Sequence, residues 1–293
     1  MPSQILNTGS ADFASSSANS ATTSYLIPRT LLPSVMNAVR KKLLLRGLAA
    51  RVFGPSSIPG RTLVIPMQSE IDSNTALPVD KTGEGAEITM GQTQFEDLTL
   101  TPVKYAIRVG VTKEMMEDGI IDLISYHAEL AGYEFADNEE SLIVSQLDAA
   151  STAASHDVSN SNATLPITDI TEAMQNLEVD NYNPTHMIVG AEVANDLRNI
   201  DTFNEADKTG GPNSLSQRLV GSIFNMKVIM SNNVSAKLAY VIDANHAFVI
   251  AEKRPITIER YTDYARDSGF LVVTQRLAVS YLRANATSEI TTT

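Results

Sequence analysis

Between Phe95 and Asp118 the hydrophobic period of the chain changes from two to that of a helix, and this change restricts the possible folds more than any other feature of the sequence. Leu98, Leu100, Tyr105, Ile107, Val109 and Val111 alternate with polar residues as in half-buried strands, interrupted at Pro102. After Thr112 the run Lys113-Glu-Met-Met-Glu117 is helical in pattern, so an extended ribbon feeds a helix. A long helix is then expected from Asp118-Gly119 to about Ala150. It carries Ile121, Ile124, His127, Leu130, Ala131, Phe135, Leu142 and Leu147 on one stripe and a bend near Gly132. About 30 residues at ~1.5 Å each exceed the width of a small domain, so this helix is a spine for the subunit.

The segment that leads into the ribbon has no core of its own. From Arg61 to Thr101 the pattern is a two-stranded excursion, with a strand at Thr62 to Pro66, a returning strand at Ile88 to Leu100, and a tip at 70–87 rich in Ser, Asn, Asp, Gly and Pro. So few large apolar side chains need something outside the excursion to pack against. Residues 7–24 are nearly all small and polar, too poor in apolar surface to offset the entropy of ordering them alone. A helix is expected from about Leu32 to Arg46, with Pro33 at its first position and Gly47 as its stop.

After the spine, a Ser/Asn-rich break at Ser151 to Thr164 opens a second region. Asp169 with Glu172 forms an aspartate version of a capping box for a helix carrying Ile170, Ala173, Met174 and Leu177. A strand at His186 to Val189, a helix at Glu192 to Asn199 and strands at Met226 to Met230, Ala239 to Ile242 and Ala247 to Ala251 follow. Closing strands at Ile256 to Arg260, Phe270 to Thr274 and Ala278 to Leu282 end in a polar tail. Helices alternating with short apolar strands indicate an α/β or α+β domain.

With no cysteine, disulfides and thiol chemistry are excluded. The four histidines share no ligand spacing, so no metal site is proposed and no cofactor is expected. No nucleophile elbow or phosphate loop appears, and Lys81-Thr-Gly83 and Lys208-Thr-Gly210 read as turns. Asp137, Glu139 and Glu140 are expected on an exposed helix face, so the chain is not read as an enzyme. The net charge is −12, which argues against duplex binding as the main activity. Residues 1–60 are the exception: six basic residues against one acid give +5, leaving −17 for the rest. Arg40, Lys41, Lys42 and Arg46 either complement the carbonyl end of their helix or dock on an acidic surface of a neighbouring subunit or a scaffold.

From about residue 28 to 287 the chain resembles the major capsid proteins of tailed double-stranded DNA viruses, which have the Hong Kong 97 fold. The resemblance is carried by Arg61-Thr-Leu-Val-Ile-Pro66, Gly83-Glu-Gly-Ala86, Phe95 to Asp118, Asn183 to Gly190, Leu219 to Asn233, Phe248 to Glu259 and Gln275 to Asn285 in that order. It implies an α+β subunit with an N-terminal arm (1–47), an extended β-hairpin loop (61–101), a peripheral domain with the spine (48–60, 102–160 and 252–293) and an axial α/β domain (161–251). It further implies hexamers and pentamers in an icosahedral shell around double-stranded DNA, a portal protein, a decoration protein in some relatives, and assembly in the host cytoplasm without a membrane. Only residues 1–27 precede the match, so scaffolding by a separate protein is expected. Inter-subunit contacts are expected at Arg40, Lys41, Lys42, Arg46, Lys81 and Glu84. Some relatives cross-link a loop lysine to an asparagine; Lys81 and Asn285 are the counterparts here. Asp80 and Glu84 would stabilise the Lys81 ammonium, so no cross-link is expected. An encapsulin-type nanocompartment and a soluble α/β enzyme are the alternatives.

Overall fold

The computed structural model describes residues 44–68, 82–87, 95–118, 123–162, 164–199, 222–265 and 267–292. The change of period falls at Thr112, where strand β4 (Val103–Thr112) passes into helix α1 (Lys113–Glu117) and the Thr112 side chain caps the helix by accepting a hydrogen bond from Met115 N. Along β4 the odd-numbered residues from Tyr105 to Val111 are partly or fully buried and the even-numbered ones exposed, as the alternation requires. The spine, α2 (Leu123–Ala154), is 32 residues long and continues through Gly132. It ends at Ser155, whose φ of 59° places it in the left-handed region, with His156 N bonded back to Ser151 O. Among the described residues no helix is long and apolar enough to cross a membrane.

The described residues form three sheets. One has the order β1–β10–β11–β4, from Arg51–Phe53, Phe248–Asp263, Ser268–Tyr281 and β4. A second pairs β2 (Leu63–Gln68) with β3 (Phe95–Leu100), which is the described part of the expected excursion; residues 69–81 and 88–94 lie outside the described residues. The third has the order β5–β12–β9–β6–β8–β7, from Asp157–Asn160, Thr287–Thr292, Leu238–Ile242, His186–Val189, Met226–Met230 and Ser222–Ile223. Helices α3 (Ile167–Val179) and α4 (Ala191–Asn199) complete this layer, so the architecture is α+β.

The middle of the six-stranded sheet is buried on both faces, which explains why its strands β6 and β9 read as nearly continuous apolar runs. Met187, Val189, Ala239 and Val241 pack with Ile170, Leu177 and Val193 of α3 and α4. Their neighbours Ile188, Tyr240 and Ile242 point the other way, onto Ile143 and Leu147 of the spine and onto Phe248 and Ile250. The spine is therefore shared between the two large sheets. Its upper half packs Ala131 and Phe135 against Leu271 and Val273.

Four expectations are corrected. The strands placed at Ala247–Ala251 and Ile256–Arg260 are one strand, β10, whose register shifts around Arg254 and Pro255 because proline cannot donate to a ladder. Phe270–Thr274 and Ala278–Leu282 are likewise one strand, β11. The polar tail is strand β12, inserted between β5 and β9, with Thr287, Ser288, Ile290 and Thr292 buried. Two of the buried hydroxyls there are satisfied by the backbone, as Ser288 Oγ donates to His156 O and Thr292 Oγ1 to Lys237 O, while Thr287 Oγ1 is buried without a partner. Hence β5 and β12 lie in the six-stranded sheet. Finally, Asp169 is not a cap: α3 begins at Ile167 after Pro166, and Asp169 is buried in the first turn, accepting from Asn160 Nδ2 at 2.7 Å.

Candidate functional site

The spine stripe that buries Ala131, Phe135, Ile143, Leu147 and Ala150 also buries Glu139 and Glu140. A helix stripe with spacing of three and four residues must include position 139. Sequence reasoning placed these acids on an exposed face, so this expectation is corrected too. Each carboxylate is tolerated there because it has partners. Glu140 Oε1 accepts from the backbone N–H of Leu44 and from that of Leu45 at 3.0 Å, while its Oε2 accepts from Ser231 Oγ at 3.3 Å and Asn233 Nδ2 at 3.5 Å. Glu140 thus ties the incoming chain at Leu44 to the loop after β8.

Glu139 binds the next residue along. Arg46 Nη1 donates to both its oxygens, at 2.9 and 2.8 Å, and Arg46 Nη2 donates to Glu252 Oε2 of β10 at 2.5 Å. Gln275 Nε2 of β11 donates to Glu252 Oε1 at 3.4 Å. Burial holds the Glu139 carboxyl above its ordinary range, against the Arg46 charge that pulls it down and with Glu252 pushing it further up. For Arg46, burial acts to lower the guanidinium, but the hydrogen bond to Glu252 and the Glu139 charge outweigh it and the net shift is upward. The hub fastens the first described residues of the chain to the spine and to two strands at once. Its chemistry is positioning: two acids and one guanidinium hold three elements in register.

Among the described residues Arg46 is the one expected contact residue with a defined partner, and its partners Glu139 and Glu252 belong to its own subunit. The residue sits in a 3-10 turn, Leu45–Leu48, and Gly47 does not stop it. Arg40, Lys41 and Lys42 lie outside the described residues, as does Lys81. Glu84 is exposed in a turn closed by Ala86 N to Gly83 O at 3.1 Å, with Gly85 at φ 80°. The sequence signal for Glu139 and Glu140 is the gap in the apolar stripe between Phe135 and Ile143, which they fill.

A second group of acids lies where the far end of the spine meets β12. Glu289 N donates to Ser151 Oγ at 3.0 Å, and Ser151 Oγ to Asp157 Oδ1 at 2.5 Å. Burial, with a hydrogen bond to Asp148 and the charges of Asp148 and Asp157, pushes the Glu289 carboxyl up to about 7, although Thr291 Oγ1 donates to it at 3.1 Å. Burial beside Glu289 also raises the Tyr240 phenol. The histidines have local roles: His156 pairs with Asp180 at 3.3 Å, His246 Nδ1 with Asp243 Oδ2 at 2.8 Å, and His186 Nδ1 with Thr185 Oγ1 at 3.0 Å. Among the described residues no group of acids and histidines has the geometry to hold a metal ion.

The sequence matches the family model described as phage capsid protein over residues 96–287. Among solved structures, the capsid of the cyanophage P-SCSP1u is similar at TM-score 0.75 and 14% identity, over 100% of this chain and 98% of that one. A chain of Mycobacterium phage Che8 is similar at TM-score 0.73 and 15% identity, over 90% and 96%. The capsid of a native GTA particle is similar at TM-score 0.71 and 14% identity, over 95% and 99%. Among curated proteins nothing matches.

Proposed function

This chain belongs to the phage capsid protein family, and we propose that it works as the major shell subunit by lending its ribbon to a neighbour within hexamers and pentamers. As a capsid protein it builds a head shell from copies of itself, and its place is the virion. The family and the fold are structural. The observation that carries the finer reading is the ribbon of β2 and β3. Its root is anchored, with Leu63, Ile65, Leu98 and Leu100 packed on Val249, Ala251 and Ala278. Past that root the Gln68 carbonyl still accepts from Arg283 Nη2 of its own subunit, while Phe95 opposite it is 74% exposed. A second subunit is the partner that supplies the missing surface.

On this reading the spine hub keeps the arm exit and the ribbon root at fixed angles, so that one subunit can lie under one neighbour and over another. Such a shell encloses double-stranded DNA without sequence-specific contacts. A portal, a separate scaffolding protein and, in some shells, a decoration protein are its partners, with assembly in the host cytoplasm. Asp80 and Glu84 beside Lys81 favour a shell held by noncovalent contacts. The test is a deletion of residues 70–80, read by electron microscopy of the purified product. A soluble subunit that forms no closed shells is the expected result, and shells of normal size from the deletion would overturn the reading.

A further inference from the structure

Three cations stand side by side across the four-stranded sheet with no carboxylate in their row. The register opposes Lys104 to Arg276 and Arg276 to Arg254. Tyr105 and Ile107 pack toward the spine with Leu271 and Val273, so this row, one residue out of phase, lies on the opposite face. Like charges directly opposed weaken a sheet. Arg276 Nη2 donates to Pro102 O at 3.3 Å, which orients that guanidinium without neutralising it, and Lys104 and Arg254 are exposed. Among the described residues no ion pair involves any of the three. Farther along the same face Arg108 lies 4.0 Å over the Phe270 ring and 5.5 Å from that of Tyr261, the two rings being stacked at 5.1 Å. Gly110 leaves room for this, since a Cβ there would come within 2.5 Å of Phe270 Cε1. The acids of the face, Glu259 and Asp263, sit toward that aromatic end, opposite Val272 and Ser268.

The complementary charge is on the ribbon. Residues 61–101 hold two basic residues against seven acidic ones, a net −5. The ribbon face that packs on the sheet through Leu63–Leu100 and Ile65–Leu98 continues, one pair further out, as Met67 opposite Glu96. Glu84, Glu87 and Glu96 are exposed, and among the described residues none of them forms an ion pair. Each copy therefore carries exposed ribbon carboxylates, with Glu96 on the underside, and a basic seat at a different place. Two different complementary patches on one chain make a head-to-tail contact, the kind that closes into rings.

We propose that the ribbon carboxylates of one copy, Glu96 foremost, seat on the Lys104–Arg276–Arg254 row of a second copy. The inference rests on the shell reading above and adds the residues that recognise each other. A nucleic acid is disfavoured as the occupant, because three cations on a chain of net charge −12 release few counterions.

The experiment is a charge swap in the full chain, read as the yield of closed particles and their DNA content. Lys104→Glu with Arg254→Glu, and separately Glu87→Lys with Glu96→Lys, should each lower particle yield by at least ~10-fold, since juxtaposed like charges block association. Combining the two sets should restore most of the yield. All four side chains are exposed, and unchanged thermal unfolding of the unassembled subunit checks that folding is intact. The milder pair Lys104→Gln and Arg254→Gln should give a smaller loss that shrinks with added salt. Wild-type yield from the reversed row, or no recovery in the combination, overturns the proposal. Normal empty particles that lose only their DNA would assign the row to nucleic acid and overturn it too. If the wild-type chain forms no particles, the shell reading fails and the contact with it.

Discussion

Replacing Arg46 by Ala removes the guanidinium that Glu139 binds through both oxygens and leaves that carboxylate, 7% exposed, without its cation. Breaking a fully buried pair from one side costs about 3–5 kcal/mol. Arg46 is 46% exposed and water can replace part of it, so about 2–3 kcal/mol is expected here. Glu139→Gln should cost only about 0–1 kcal/mol, because the amide still offers an acceptor and the buried charge disappears. Arg46 also keeps Glu252 in that variant. In the double variant the Glu139 charge is gone, and only Glu252, 14% exposed, has lost its cation. Its total should fall below the sum of the two singles by about 1–2 kcal/mol, the coupling of groups in direct contact. Denaturant unfolding of the unassembled subunit at pH 7.5 measures all four corners of the cycle.

The pH dependence of the same cycle has a definite sign. Glu139 holds its proton more tightly folded than unfolded, so its contribution to stability falls as pH rises from its ordinary pKa through the raised folded one. Arg46→Ala removes the charge that restrains this shift and should steepen the fall. Glu139→Gln should abolish it. An Arg46→Ala effect below about 0.5 kcal/mol, or additivity within that margin, would refute the claim that the hub is a desolvated ion pair and not a surface contact.

The remaining predictions concern the sheets and the far end of the spine. Gly190→Ala should destabilise the subunit by about 3–5 kcal/mol, because a Cβ there would stand 2.1 Å from Ser235 O and 2.7 Å from Ala236 O. Moving that loop breaks the bonds from Glu192 N and Val193 N to Ala236 O. Gly132→Ala in the spine, with nothing within 4 Å, should instead stabilise by about 0.5–1 kcal/mol in denaturant unfolding of the unassembled subunit, and equal effects of the two changes would refute the packing argument. Glu289, raised to about 7, binds its proton more tightly in the folded state. Its contribution to stability should therefore fall between about pH 4.5 and 7 and level off above, by about 1–3 kcal/mol after allowance for solvent screening. Glu289→Gln should flatten that part of the curve, and an unchanged slope in a pH series of unfolding midpoints would count against it.

The sequence by itself determined the elements whose two faces differ. The alternation from Tyr105 to Val111, the helical run after Thr112 and the apolar run at His186–Val189 appear in the structure where their periods put them, because side-chain direction follows directly from backbone repeat. The pairing of β2 with β3 was legible as well, since two strand patterns flank a turn-rich segment. Tertiary structure alone decided which polar residues are inside. Glu139 and Glu140 are charged in any local window and become buried only because Arg46, Leu44, Leu45, Ser231 and Asn233 arrive from distant parts of the chain to satisfy them. Thr287–Thr292 reads as a tail until β5 and β9 offer their free edges, since a polar strand is stabilised by ladder bonds that no local pattern contains. The cation row across β4, β11 and β10 has the same origin. Lys104, Arg254 and Arg276 are unremarkable one by one, and only the register of three strands sets them side by side. Period is a local property of the chain, whereas the pairing of charges and of strand edges depends on contacts between residues far apart in the sequence.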